Sequence, residues 1–119
     1  MGQYEEHQPR EIELDNEDIQ HWLSQNKPIV NHEVISAIEK YIYDNSDRPI
    51  CALILKVSDP MYGDVMLQIS IDGTDIPDAI KVINKWAIDT EEYELCQRIK
   101  NLNEYIEKNE LQTTTDIDI

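Results

Sequence analysis

The sequence predicts an α+β domain in which about four helices pack on a small antiparallel β-hairpin, in the order α-α-β-β-α-α. Segments with apolar residues at i, i+3 and i+4 flank two apolar runs that are typical of strands. Gly (3) and Pro (5) are scarce, which argues against an all-β sandwich. We therefore predict a single domain over residues 15–110, with a flexible arm at residues 1–14 and a flexible tail at residues 111–119.

Two helices are predicted before the first strand. The first should begin near Asp15 and end near Asn26, and Pro28 is expected just beyond its end. The second should begin with Asn31 as its N-cap and stop at the polar turn of residues 44–47. Both have one apolar stripe at helical spacing, so each should cover one side of a sheet.

The hairpin is predicted from two neighbouring apolar runs. The stretch RPICALILKV (residues 48–57) is apolar at both alternate sets of positions, which is typical of a central strand covered on both faces. The run from Val65 to Ile71 alternates instead, so Val65, Leu67, Ile69 and Ile71 should face inward.

Two further helices are predicted after the hairpin, from Ile76 to Ile88 and from Thr90 to Glu110. The last helix has a 4-3-4 apolar stripe formed by Leu95, Ile99, Leu102 and Ile106. This stripe spans less than two heptads, too short for an autonomous coiled coil. It predicts either intramolecular core packing or a homodimer contact.

The stretch SIDGTDIPDAIKVINKW places Asp72, Asp75 and Asp78 at three-residue steps around a Gly and a Pro. A calcium loop with Gly73 at its sixth position would need a bidentate Glu at the twelfth, where Ala79 stands. The alternative is a corner between a strand and a helix, with the acids capping the helix start. We interpret the stretch as that corner.

No other pattern indicates catalysis or a cofactor. The three His and two Cys residues lack metal-ligand spacing, and no Gly-rich phosphate loop is present. We therefore predict no enzyme activity, no catalytic residue, no metal and no cofactor. An enzyme built on a carboxylate cluster without a known motif stays open as an alternative.

The outlying property of the sequence is its charge, with 25 acidic residues against 10 basic ones and a net charge of −15. Such a surface repels nucleic-acid phosphates and anionic membranes, and it attracts basic proteins. Helix capping and solubility account for part of this charge, because many acids lie at predicted helix starts. They do not account for the shortage of bases.

The charge favours a small non-catalytic protein that binds a basic surface, for example an inhibitor of a nuclease or another nucleic-acid-binding complex. Antagonists of host defence encoded by phages act in this way. The residues expected to replace phosphates on the partner are Glu11, Glu13, Asp15, Glu17, Asp18, Asp72, Asp75 and Asp78. Two alternatives stay open: an immunity or antitoxin protein for a basic toxin, and a structural or regulatory subunit that dimerises through the last helix.

The sequence also predicts a compartment. The amino terminus lacks a secretory signal, the longest apolar run is too short to span a membrane, and two Cys residues make no disulfide framework. We expect a cytoplasmic protein of a bacterium or of a phage-infected cell.

Overall fold

The structure is a computed structural model that describes residues 7–15, 18–59, 61 and 63–117. Within these residues lie three strands and four α-helices, in the order β-α-α-β-β-α-α, which confirms the α+β class. The elements are β1 (Arg10–Asp15), α1 (Ile19–Gln25), α2 (Lys27–Tyr43), β2 (Ile50–Asp59), β3 (Gly63–Ile71), α3 (Ile76–Asp89) and α4 (Tyr93–Ile117), with a 3₁₀ turn over Gly73–Asp75 before α3. They form two compact units that divide at Ile76.

The predicted order of elements lacked strand β1, and the structure corrects it. Residues 10–14, predicted as part of a flexible arm, lie in this strand. Ile12 and Leu14 alternate with acidic residues, and Leu14 is buried. Alternation of this kind forms a strand wherever one face can be covered. β1 pairs in parallel with β2, and residues 16–49 supply the long crossover that a parallel pair needs.

Helix α1 ends before Asn26, as predicted, but it begins at Ile19 rather than near Asp15, and α2 begins at Lys27, earlier than predicted. Asp18 caps α1 by accepting a hydrogen bond from the backbone N–H of Gln20 at 3.0 Å. Pro28 lies in the first turn of α2, so Asn31 is within the helix rather than at its cap. The reason is that Pro lacks an N–H and fits the first turn, where no intrahelical partner for that N–H exists.

The hairpin of β2 and β3 is confirmed, and β2 is the central strand of the sheet β1-β2-β3. Helix α2 packs against β2, where Ile35, Ile38, Leu53 and Leu55 are fully buried and form the core of the first unit. The prediction that both faces of β2 are buried is wrong beyond Ile54. On one face of the strand Lys56 is partly exposed and Ser58 is exposed.

The second unit contains most of α3 and all of α4. Helix α3 continues to Asp89, because the backbone N–H of Thr90 still bonds to the Trp86 carbonyl at 2.9 Å. Thr90 therefore belongs to the turn between the helices, where Glu91 has a positive φ of 57°, and α4 begins at Tyr93. Residues 111–117, predicted as a flexible tail, continue α4, in which no Gly or Pro interrupts the helix.

Candidate functional site

The pairing register divides the sheet residues into two faces, because directly paired residues point to the same side. Lys56 of β2 is paired with Glu13 of β1 and with Met66 of β3. The neighbouring pairs on that side join Glu11 to Ile54 and Asp64 to Ser58. We call this side the open face; it comprises Glu11, Glu13, Ile54, Lys56, Ser58, Asp64, Met66 and Gln68.

The open face is accessible to solvent. The Glu11 and Lys56 side chains are 54% and 40% exposed, and Met66 is 57% exposed. On the opposite face Leu53 and Leu55 are completely buried. A sheet with one buried and one accessible face can bind a partner through the accessible one without losing its core.

Acidic side chains on the open face surround one cation. The Lys56 ammonium forms an ion pair with Glu11 at 2.5 Å. The hydrogen bond from Lys56 to Glu11 and the Glu11 charge raise the Lys56 pKa above its ordinary 10.5. Desolvation lowers it in part, and the weaker charge effects of Glu13 and Asp64 raise it further. Lys56 is thus cationic at neutral pH. Three carboxylates against one ammonium leave the cluster with excess negative charge.

Lys56 and two of these acids, Glu13 and Asp64, also line a depression at the hairpin end of the sheet. Its volume is about 520 Å³, and its walls include Glu13, Lys56, Ser58, Asp64 and Met66. The depression therefore combines carboxylates with two exposed apolar side chains, Val65 and Met66. A Lys or Arg side chain inserted here would find acceptors for its charged end and apolar contact for its stem.

The structure brings together only some of the acids predicted to bind a partner. Glu11 and Glu13 lie exposed on the open face. Asp15 ends β1, Asp18 caps α1, and Glu17 lies outside the described residues. Lys56 and Asp64, which no sequence pattern indicates, reach the cluster through the pairing of three strands.

The corner interpretation of residues 72–78 agrees with the geometry. The Asp72 carboxylate accepts a hydrogen bond from the Gly73 N–H at 2.7 Å, and the Asp72 N–H donates to Asp75 at 3.3 Å in a capping box. Asp78 lies exposed in the first turn of α3. Because Asp72 and Asp75 bind backbone N–H groups, their carboxylates are less available to a partner than the carboxylate of Glu13.

The apolar stripe of α4 is mostly buried within the chain. Leu95, Ile99 and Leu102 are at most 1% exposed, and Ile106 is half-buried. This burial favours intramolecular packing over a homodimer contact along the stripe, because a dimer would have to uncover these residues first.

A buried histidine, His7, lies beside the start of β2. The His7 side chain is 3% exposed, and its Nε2 is 3.0 Å from the carbonyl oxygen of Cys51. Since a carbonyl oxygen only accepts, the His7 Nε2–H group donates this hydrogen bond, and Nδ1 is 3.9 Å from Glu33. His7 thus joins the start of β2 to α2. Its place in an otherwise charged segment gave no sign of this.

Comparison with protein-family models, curated proteins and solved structures finds no match to this chain. Among residues 7–15, 18–59, 61 and 63–117, no three His, Cys, Asp or Glu residues are arranged to hold a metal ion. No helix in that part of the chain has both the length and the hydropathy to cross a membrane.

Proposed function

We propose that the chain is a non-catalytic binding protein whose open face covers a basic surface on a partner protein. The observation that supports this most is the cluster of Glu11, Glu13 and Asp64 around Lys56 on an exposed sheet face. Exposed charge complementary to a partner accelerates association and selects against partners of like charge.

The arrangement also suggests which basic surfaces fit. Glu11 and Glu13 are two residues apart on one strand, so their Cα atoms are about 6.6 Å apart, close to the rise of two nucleotides along a double-helix axis at about 3.4 Å each. Two carboxylates at this spacing on an extended strand suit a groove that otherwise holds phosphates. The proposed partner is accordingly a nuclease or another protein that binds nucleic acid, and the proposed activity is competitive inhibition.

The binding experiment uses a triple variant, Glu11→Gln, Glu13→Gln and Asp64→Asn. A matched control removes three exposed acids of α4, Glu94→Gln, Glu104→Gln and Glu107→Gln. Partners are captured from a lysate of the native host at about 0.05 M and about 0.5 M NaCl and identified by mass spectrometry. Affinity for the captured partner is then measured by titration with each purified variant.

We expect the open-face variant to bind about tenfold more weakly at low salt, since three exposed charge pairs at about 0.5 kcal/mol each give that factor. The α4 control should bind like the unaltered chain. Equal losses in both variants would show that net charge alone governs binding and would contradict a role for the open face.

A second measurement tests competition with nucleic acid. The chain should displace a fluorescently labelled oligonucleotide from the captured partner, and the open-face variant should need a higher concentration to do so. Binding of the chain and the oligonucleotide at the same time would disprove the inhibitor proposal while leaving the binding face intact.

A further inference from the structure

The two edges of the sheet differ in how they are protected. In the described part of the chain β1 and β3 are the outer strands, and an outer strand presents unpaired backbone N–H and C=O groups. Strand β1 has four charged residues among six, Arg10, Glu11, Glu13 and Asp15, and such charges discourage pairing with another strand. Strand β3 has no charged residue from Val65 to Ile71.

The β3 edge is also apolar and exposed. Val65, Met66 and Leu67 are 46%, 57% and 38% exposed. All seven residues from Val65 to Ile71 are uncharged, although 29% of the residues in the chain are charged. An accessible, uncharged strand at a sheet edge is a template for pairing with another strand.

We propose that β3 pairs antiparallel with β3 of a second copy of this chain, about a two-fold axis at Leu67. The dimer would have a continuous six-stranded sheet. Its oligomeric state can be measured without knowledge of any partner, so this inference stands apart from the proposed function.

The register follows from geometry. A two-fold axis perpendicular to the sheet must lie midway between a residue and its copy in the other chain, because paired residues point to the same side. β3 runs from Gly63 to Ile71, so its midpoint is Leu67, and pairing over its full length places Leu67 opposite itself. Val65 then faces Ile69 of the second copy, and the apolar face that packs on α2 continues across the axis.

Charge selects a second copy at this edge. In the Leu67 register Asp64 lies opposite Ser70 of the second copy, so no two acids face each other across the strands. Pairing β1 with itself about Ile12 would oppose Glu11 and Glu13, and pairing about Glu13 would oppose Glu13 to itself. Two chains of charge −15 repel each other, so contact is least costly along the uncharged strand.

Pairing of β3 with β1 of another copy would leave a free β3 and a free β1 at the ends. Such a head-to-tail contact continues into filaments, whereas a two-fold contact closes at two copies. The charged β1 edge opposes that chain of contacts. The two-fold β3 contact uses the one unprotected edge of each sheet and leaves the protected edges outside.

The test measures mass by sedimentation equilibrium at about 0.15 M NaCl over a wide concentration range. The unaltered chain should reach twice the mass of one chain. Leu67→Lys, which opposes two ammonium groups at the axis, and Val65→Lys should each weaken dimerisation at least ~tenfold. The matched control is Val82→Lys, which alters an equally apolar residue on α3 that is 68% exposed, and it should dimerise normally.

Mixing Leu67→Lys with Leu67→Glu identifies the register. Opposite charges would then face each other at the axis, so the mixture should form a heterodimer although each variant alone is a monomer. Circular dichroism checks that each variant is folded. If the Leu67 variants unfold, Val65→Lys tests whether the β3 edge is needed for dimerisation. A monomeric unaltered chain, a dimer insensitive to both β3 variants, or an assembly larger than two copies would overturn the proposal.

Discussion

At the scale of single residues, Lys56 is the most informative group because three acids act on one ammonium. The hydrogen bond and charge of Glu11 contribute most to its raised pKa, followed by the charges of Glu13 and Asp64. The three acids can therefore be ranked by how strongly each raises the Lys56 pKa, which is measured at the Lys56 Nζ.

We expect Glu11→Gln to lower the Lys56 pKa most, and Glu13→Gln or Asp64→Asn to lower it less. The folded pKa lies above the ordinary 10.5, so the stability that Lys56 contributes is complete below pH 10.5 and is lost as pH rises through the folded pKa. Isotope-detected NMR titration of the lysine side chains in the four proteins gives the order. A larger effect from Glu13→Gln than from Glu11→Gln would contradict the ion pair.

At the scale of elements, local patterns predicted most of the fold. The 3.6-residue period located parts of all four helices, and the alternating run from Val65 to Ile71 located β3. Strand β1 also alternates, but its charges hid the pattern. Its parallel partner β2 lies beyond a crossover of two helices, and no local signal indicates such a distant pairing.

In the candidate site, too, local sequence patterns predicted some residues and long-range strand pairing determined the others. Glu11 and Glu13 were identified from charge alone, because they stand in an unusually acidic segment. Asp64 and Lys56 join them only when β1, β2 and β3 are in register, so their convergence depends on pairing over long sequence distances. Asp72 and Asp75 gave an equally strong charge signal but serve the helix start.

The corner before α3 depends on its contact with α2. A Cβ on Gly73 would lie 2.6 Å from the Tyr41 hydroxyl oxygen and 3.2 Å from the Tyr41 ring. We expect Gly73→Ala to lower the free energy of unfolding by about 1–3 kcal/mol, the usual effect of overpacking. In a Tyr41→Phe background the closest atom is gone, so the loss caused by overpacking should shrink.

Urea denaturation of the four proteins in this cycle measures the coupling. The control is Gly63→Ala, where a Cβ meets nothing within 4 Å but φ is +80°. That loss comes from backbone strain, so Tyr41→Phe should leave it unchanged. Equal losses for Gly73→Ala with and without the Tyr41 hydroxyl would show that the corner can move away from α2.

At the scale of the whole molecule, the two proposals are compatible. A two-fold axis perpendicular to the sheet keeps the open faces of both copies on the same side. The proposed dimer would thus present two clusters of Glu11, Glu13 and Asp64 to one partner, and two linked contacts bind more tightly than one. The uncharged β3 edge is what allows two such acidic chains to meet.

The net charge of −15 also makes a prediction for stability, since repulsion among so many acids favours the unfolded chain. Raising NaCl from about 0.01 M to about 0.1 M shortens the screening length from about 30 Å to about 10 Å. We expect the thermal midpoint to rise over this range, measured by calorimetry at fixed chain concentration. The variant with Glu94, Glu104 and Glu107 changed to Gln has less repulsion to screen, so its midpoint should rise less with salt. A midpoint that falls with added salt would mean that attractive pairs such as Lys56–Glu11 outweigh the repulsion among the remaining acids.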